Sequence, residues 1–100
     1  MLCCDDHAIC HAIELPFVFG TIDMAGAEQF IGASEATVPF CERVMDAWLS
    51  FAKTGDPGHA GLPEWPVYDP SRRATMLLGP ECRVEDDPQR PEREVWDGVL

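Results

Sequence analysis

Hydrophobic residues recur at helical spacing most clearly between Phe40 and Thr54 of this chain. Pro39 stands near the first helical position and Gly55 follows the last, where proline and glycine are favoured at helix ends. Lys53 in the last turn suits the negative end of the helix dipole. The pattern therefore predicts a helix with these bounds.

The apolar surface of this helix is unusually wide. A surface helix normally has an apolar stripe of about 100° or somewhat more. Here apolar side chains cover nearly everything outside one narrow polar face. That polar face consists of Glu42, Arg43, Asp46, Ser50 and Lys53. We expect the helix to need neighbours on several sides, more than the remaining residues supply, so the chain is expected to be part of something larger.

A small β-hairpin is predicted in the second half of the chain. Two runs typical of strands, Val67-Tyr68 and Thr75 to Leu78, flank a turn sequence at residues 69–72. Such an arrangement favours pairing of the two runs across that turn. Residues 82–84 can extend the hairpin, and the Asp-Asp-Pro sequence at 86–88 ends it.

The two ends of the chain give weaker patterns. Residues 11–20 are expected to form a loop followed by a short apolar turn or helix, and residues 20–33 a Gly- and Ala-rich connection. Pro91 to Leu100 is expected to be a terminal helix with Trp96 as its anchor. The segments are too short to mark two domains.

Composition and charge narrow the classes of function. The chain has 100 residues, 46% of them hydrophobic and 25% charged, which is typical of a globular protein. Its net charge of −11 argues against binding to nucleic acid or to anionic membranes. No apolar stretch reaches the roughly 18 residues of a membrane span, and the first ten residues lack the features of a signal peptide. The five cysteines, an odd number, favour a reducing compartment such as the cytoplasm.

His11 and Glu14 are the first candidates for chemistry, because they stand three residues apart at the start of an apolar run. A neutral imidazole can take a proton from a serine hydroxyl and return it to a leaving alcohol. A histidine can equally serve only to satisfy hydrogen bonds near a core. For a histidine considered by itself, the structural interpretation is favoured.

The sequence of residues 11–20, His-Ala-Ile-Glu-Leu-Pro-Phe-Val-Phe-Gly, resembles the catalytic-histidine segment of the type-B carboxylesterase and cholinesterase family. Three later patterns of that family follow in order, at residues 48–57, 65–68 and 73–76. The resemblance covers essentially the whole chain. It implies an α/β fold, as the C-terminal fragment of an α/β-hydrolase with a histidine loop, a long helix, a small β-hairpin and a terminal helix. Residues 1–100 would then be an incomplete domain.

The resemblance also implies roles for individual residues. His11 would be the general base and acid of a serine carboxylic-ester hydrolase, and Glu14 a supporting residue near the site. Glu14 would not be the triad acid, and a carboxylate at a helix start is the alternative interpretation of this residue. In α/β-hydrolases the triad order along the chain is Ser, then Asp or Glu, then His. The nucleophile, the acid and the rest of the hydrolase domain would therefore precede this chain.

The resemblance implies a carboxylic ester as substrate and no cofactor or metal. The isolated chain is expected to be inactive, since a histidine without a positioned nucleophile gives little rate enhancement. Ser34 is one residue short of the nucleophile motif G-x-S-x-G and is interpreted as a helix-cap or loop residue.

A second hypothesis is a small acidic domain that binds a partner or a metal and catalyses nothing. Thiolates and imidazoles can bind zinc. The candidate ligands crowd the first eleven residues: Cys3, Cys4, His7 and Cys10, with His11 adjacent. They lack the two separated pairs that usually fold a zinc module.

The large aromatic residues are expected to lie in the core. They comprise the three tryptophans and Phe17, Phe19, Phe40 and Phe51. Phe17 and Phe19, close in sequence to His11, are also candidates for an acyl pocket.

Overall fold

The computed structural model describes residues 12–27, 31 and 34–99. Three helices and two strands lie wholly within these residues, and residues 27 and 31 are helical as well. In chain order the three helices and two strands are α1 (Leu15–Val18), α2 (Thr37–Thr54), β1 (Ala74–Leu77), β2 (Arg83–Asp86) and α3 (Arg90–Glu94).

The predicted long helix is confirmed as α2, and its end at Thr54 is confirmed. Gly55 adopts the left-handed conformation, with φ of 81°, and its N–H donates to the Phe51 carbonyl at 2.8 Å. The start is three residues earlier than predicted, at Thr37. Pro39 is tolerated there because the first N–H groups of a helix have no intrahelical partner to lose.

The segment after α2 is held by side chains of the helix itself. The Ser50 hydroxyl donates to the carbonyl oxygens of Asp56 at 2.8 Å and Gly58 at 3.2 Å. The Thr54 hydroxyl donates to the Ser50 carbonyl at 2.9 Å. The Asp56 carboxylate accepts the Gly58 N–H at 2.8 Å. These bonds stabilise the turn at residues 55–58 against the last turn of α2, so the helix ends sharply at Thr54.

The short helix expected within residues 11–20 is confirmed as α1, and it packs on the N-terminal half of α2. The rings of Phe17 and Phe40 meet edge to face, with centroids 5.0 Å apart. The Cys41 thiol lies 3.5 Å from the Phe17 carbonyl. Burial raises the pKa of this thiol, with smaller contributions from Glu42 and Asp23. Cys41 is therefore a packing residue held in its neutral form.

The predicted pairing of Val67-Tyr68 with Thr75 to Leu78 is wrong, whereas the expected place of residues 82–84 in a hairpin is confirmed for residues 83 and 84. β1 pairs antiparallel with β2, in the register Ala74 to Asp86 and Leu77 to Arg83. Val67 is 90% exposed and pairs with neither strand. The turn at 69–72 does form, because Asp69 Oδ1 accepts the N–H groups of residues 71 and 72 at 2.8 and 2.9 Å. Arg73 then adopts a φ of 54°, which redirects the chain before β1 begins.

The terminal helix is confirmed in type but is shorter than predicted. α3 ends at Glu94, and turns continue to residue 99. Arg93 of α3 holds Asp87 at the end of β2 through two bonds, Nε to Oδ1 at 3.1 Å and Nη2 to Oδ2 at 2.8 Å. The guanidinium of Arg93, through this hydrogen bonding, lowers the pKa of Asp87 below its ordinary value. Trp96 is 61% exposed, so its predicted role as an anchor is wrong.

The core of the described residues is small. Its buried members are Cys41, Val44, Ala47, Ala74 and Met76. Phe17 and Phe40 are half-buried, as expected of residues between two helices. The expectation that Phe19, Phe51 and Trp48 are core residues is wrong here, because all three are largely exposed. Among the described residues, no helix is long and apolar enough to cross a membrane.

Candidate active site

A cleft of about 340 Å³ lies beside α1, and we refer to it as the α1–α2 cleft. Its volume falls within the range of small-molecule sites, at their lower end. It is lined by Ile13, Glu14, Phe17, Ile31, Ser34, Ala36, Thr37, Phe40, Val44, Trp48, Leu78, Gly79 and Pro80. The walls are mainly aliphatic and aromatic, with a few polar groups at one side.

Glu14 lines this cleft at the residue that precedes α1. Its carbonyl oxygen accepts the N–H groups of Phe17 and Val18 at 3.0 and 2.9 Å. Its side chain is exposed and makes no capping hydrogen bond to α1. Glu14 therefore starts the helix through its backbone, and its exposed side chain is not used for capping.

The backbone just before Glu14 is strained. Ala12 has a φ of 65°, in the left-handed region that residues with a Cβ rarely adopt. Its carbonyl accepts the N–H of Leu15 at 3.2 Å, which closes a turn into α1. Strain of this kind costs of order 1–3 kcal/mol and persists only where the surrounding structure imposes it. The turn fixes the backbone direction at the start of α1.

His11 itself lies outside the described residues, as do Cys3, Cys4, His7 and Cys10. The predicted roles of His11 and of the N-terminal metal ligands therefore stay predictions. Among the described parts of the chain, no group of three or more His, Cys, Asp or Glu residues is arranged to hold a metal ion.

Ser34 is a loop residue. It lies two residues before Ala36, which occupies the N-cap position of α2. The Ser34 N–H donates to Thr37 Oγ1 at 3.1 Å, and the two hydroxyl oxygens are 3.2 Å apart. Ser34 and Thr37 thus bond to each other at the cleft wall. This arrangement agrees with the prediction of a loop residue.

His59 was not singled out by the sequence, and its role is structural. Its Nε2–H donates to the Arg43 carbonyl at 3.0 Å, and its Nδ1 accepts the Gly61 N–H at 3.0 Å. The two bonds together require the neutral tautomer with the proton on Nε2. With both nitrogens engaged, His59 pins the loop after α2 to the helix and has no nitrogen left for proton transfer.

The structure brings together two of the residues that the sequence connected with chemistry, Glu14 and Phe17, and adds others to the same cleft. Phe19, the second candidate for an acyl pocket, is 71% exposed and does not line it. Trp48 and Leu78 do line it, although they are distant from α1 in sequence. No local pattern could have identified them, because they line the cleft only once elements distant in sequence have packed together.

The sequence profile of the Carboxylesterase family matches residues 5–96 of the chain. The para-nitrobenzyl esterase of Bacillus subtilis is 37% identical in an alignment 86 residues long, which covers 84% of this chain and 17% of that protein. Liver carboxylesterase 1F of Rattus norvegicus is 41% identical over 90 residues, 90% of this chain and 15% of that protein.

A solved structure has the same shape. The carboxylesterase EST55 of Geobacillus stearothermophilus superimposes with a TM-score of 0.76 at 43% identity, over 88% of this chain and 19% of the enzyme. The chain therefore spans less than a fifth of the length of each of these relatives. The structural neighbours are α/β-hydrolases, so the predicted fold class is confirmed. The chain belongs to the carboxylesterase family.

Proposed function

We propose that this chain is the part of a serine carboxylic-ester hydrolase that carries the general base, His11, with Glu14 as a supporting residue. The observation that carries the proposal is the family match over residues 5–96, which includes both residues. In this proposal residues 1–100 form an incomplete domain. The nucleophile, the acid of the triad and the donors of the oxyanion hole come from elsewhere in the hydrolase.

The proposed reaction has two steps. His11 takes the proton of the serine hydroxyl as its oxygen attacks the ester carbonyl, and then gives that proton to the departing alcohol. The acyl group is left on the serine. His11 next takes a proton from water as the water oxygen attacks the acyl-serine, and returns it to the serine as the carboxylic acid leaves. Both steps need backbone donors to stabilise the oxyanion.

Two features of the described residues support this assignment. The strained turn at Ala12 fixes the chain directly after His11, and strained residues cluster at active sites. Glu14, three residues after His11 in the sequence, lines an apolar cleft. A general base needs such fixed surroundings, because proton transfer requires its nitrogen within hydrogen-bond reach of the reacting group.

The proposal is tested in a chimera. The segment of the Bacillus subtilis para-nitrobenzyl esterase that aligns with this chain is replaced by the chain, and hydrolysis of p-nitrophenyl acetate is measured. We expect the chimera to be active, and His11→Ala to lower kcat/KM by roughly 10³-fold or more, as loss of a general base does. Glu14→Gln is expected to have a smaller effect on kcat.

His7→Ala is the matched control, because it removes a neighbouring imidazole that the proposal does not use. It should leave kcat/KM unchanged. If His11→Ala retains full activity in an active chimera, His11 is not the general base. Measurable turnover by the isolated chain that survives His11→Ala would contradict the proposal as well.

A further inference from the structure

An apolar stripe along α2 changes from covered to bare along the helix. Val44 and Ala47 are buried. Trp48 and Phe51 lie one turn further on the same side, since residues three and four apart are neighbours on a helix surface. They are 47% and 58% exposed. We refer to Trp48 and Phe51 as the bare stripe of α2.

α1 covers only part of the apolar stripe of α2 because α1 is short. α1 has four residues and packs on the N-terminal half of α2, where Phe17 contacts Phe40. Among the described residues, nothing covers Trp48 and Phe51 to a similar extent, although Ala47 beside them is buried. Trp48 also lines the α1–α2 cleft, so the bare stripe continues into an apolar groove. Removing two large aromatic side chains from water is favourable, which makes this face suitable for docking.

The chain's shape indicates what covers the face. It superimposes on a segment of a carboxylesterase about five times as long, with 88% of the chain matched to 19% of the enzyme. A segment that keeps the shape it has inside a larger enzyme leaves bare those faces that the enzyme covers. A second copy of the chain fits less well, because each copy carries a net charge of −11 and the two would repel each other.

We propose that the bare stripe of α2 and the adjoining cleft form a docking surface for the complementary portion of a carboxylesterase domain, and that the surface suffices for docking without a covalent link. This rests on the proposed function for the identity of the partner. The docking proposal adds two points to the proposed function. It assigns the contact to Trp48 and Phe51, and it requires that two separate chains associate.

The test uses the chain and a para-nitrobenzyl esterase that lacks its aligned segment, produced together in one cell. We expect a 1:1 complex to be recovered by a tag on the truncated enzyme. Phe51→Glu should weaken association at least tenfold, since it places a charge in the apolar contact. Lys53→Gln is the control, because it changes the net charge equally and lies in the same turn on the polar face. It should leave association unchanged.

Failure to recover a complex overturns the proposal, and so does a complex that Phe51→Glu and Lys53→Gln affect equally. A stable dimer of the chain that excludes the truncated enzyme overturns it too. A second measurement does not depend on association between separate chains. Phe51→Cys should react with a thiol reagent in the isolated chain and be protected in the covalent chimera, while Lys53→Cys should react in both. Equal reactivity of Phe51→Cys in both forms overturns the assignment of the face.

The outcomes separate docking from catalysis. If the chains do not associate but the chimera hydrolyses ester in a manner dependent on His11, the docking surface is wrong and the proposed function stands. If the chains associate but ester hydrolysis by the complex and by the chimera does not depend on His11, the docking surface stands and the proposed catalytic role is wrong.

Discussion

Gly61 lies so close to His59 that a larger residue at this position would disturb the imidazole. A Cβ at this position would lie 2.9 Å from His59 Cε1 and 3.1 Å from His59 Nδ1. The imidazole cannot move away freely, because its two nitrogens are bonded to Arg43 and to Gly61 itself. We therefore expect Gly61→Ala to destabilise the protein by about 1–2 kcal/mol through loss of one or both hydrogen bonds, measured by denaturant unfolding of the esterase chimera.

Gly79 provides the control, because a Cβ there would meet no atom within 4 Å and its φ is not in the left-handed region. Gly79→Ala should be neutral or stabilise by up to about 1 kcal/mol, since alanine restricts the unfolded chain. Equal losses in the two variants would show that His59 does not pin the loop.

The sequence predicts single residues well where one residue type decides the geometry. Gly55 ends α2 because a left-handed conformation is required there, and the pattern located it correctly. The sequence could not reveal that His59 holds the loop after α2 to the helix, because its partner Arg43 lies sixteen residues away. Nor could it place Trp48 in the α1–α2 cleft, since that depends on which helix packs on which.

Among the elements, α3 is held to the hairpin by one bidentate ion pair, between Arg93 and Asp87. The pKa of Asp87 is lowered in the folded protein, so the folded state releases this proton more readily than the unfolded state. The contribution to stability is therefore complete above the ordinary value of 3.8 and is lost as the pH falls through the lowered value.

We expect Asp87→Asn to loosen α3 at pH 7, with faster amide exchange in residues 90–94. The difference from wild type should disappear under acidic conditions, where both side chains are neutral. Asp86→Asn is the control, because its pair with Arg72 is about half exposed on both sides and contributes little. A difference that persists at a pH where Asp87 is protonated would assign the effect to packing.

The sequence led to two errors in the elements, the strand pairing and the role of Trp96, and each has its own physical cause. The turn at 69–72 and the Gly-Pro turn after Leu77 both carry favourable turn residues, so local chemistry could not choose which one joins the strands. Arg73 adopts a left-handed backbone conformation, which turns the chain away from Val67-Tyr68 before β1 begins. No sequence rule predicts that conformation for arginine. Trp96 is exposed because an anchor needs a receiving surface, which the described residues do not supply.

At the scale of the whole molecule, five buried side chains form the core, while twelve large hydrophobic residues are exposed among those that the structure describes. Such a ratio should not support a cooperative fold by itself. We expect the isolated chain to bind an apolar dye and to melt gradually in circular dichroism. Phe51→Glu should reduce the dye signal more than Lys53→Gln. A sharp transition without dye binding would instead favour a free-standing domain.

The sequence pattern predicted that the apolar surface of α2 would lack packing partners. An α2 that is apolar on most of its circumference predicted a need for several neighbours, and the exposure of Trp48 and Phe51 agrees with that expectation. The sequence could not specify the neighbours, because the part of the chain that the structure describes supplies no surface that covers Trp48 and Phe51. The family match, and not the internal pattern, indicates where they come from.

The two edges of the hairpin differ in their susceptibility to strand addition. β2 carries three charged side chains, Arg83, Glu85 and Asp86, and charges on an edge discourage pairing with further chains. β1, with the sequence Ala-Thr-Met-Leu, carries none. Within the described residues, β1 has β2 on one side and no strand on the other. Any extension of this ribbon, whether into a larger sheet or into an aggregate, should therefore start from β1.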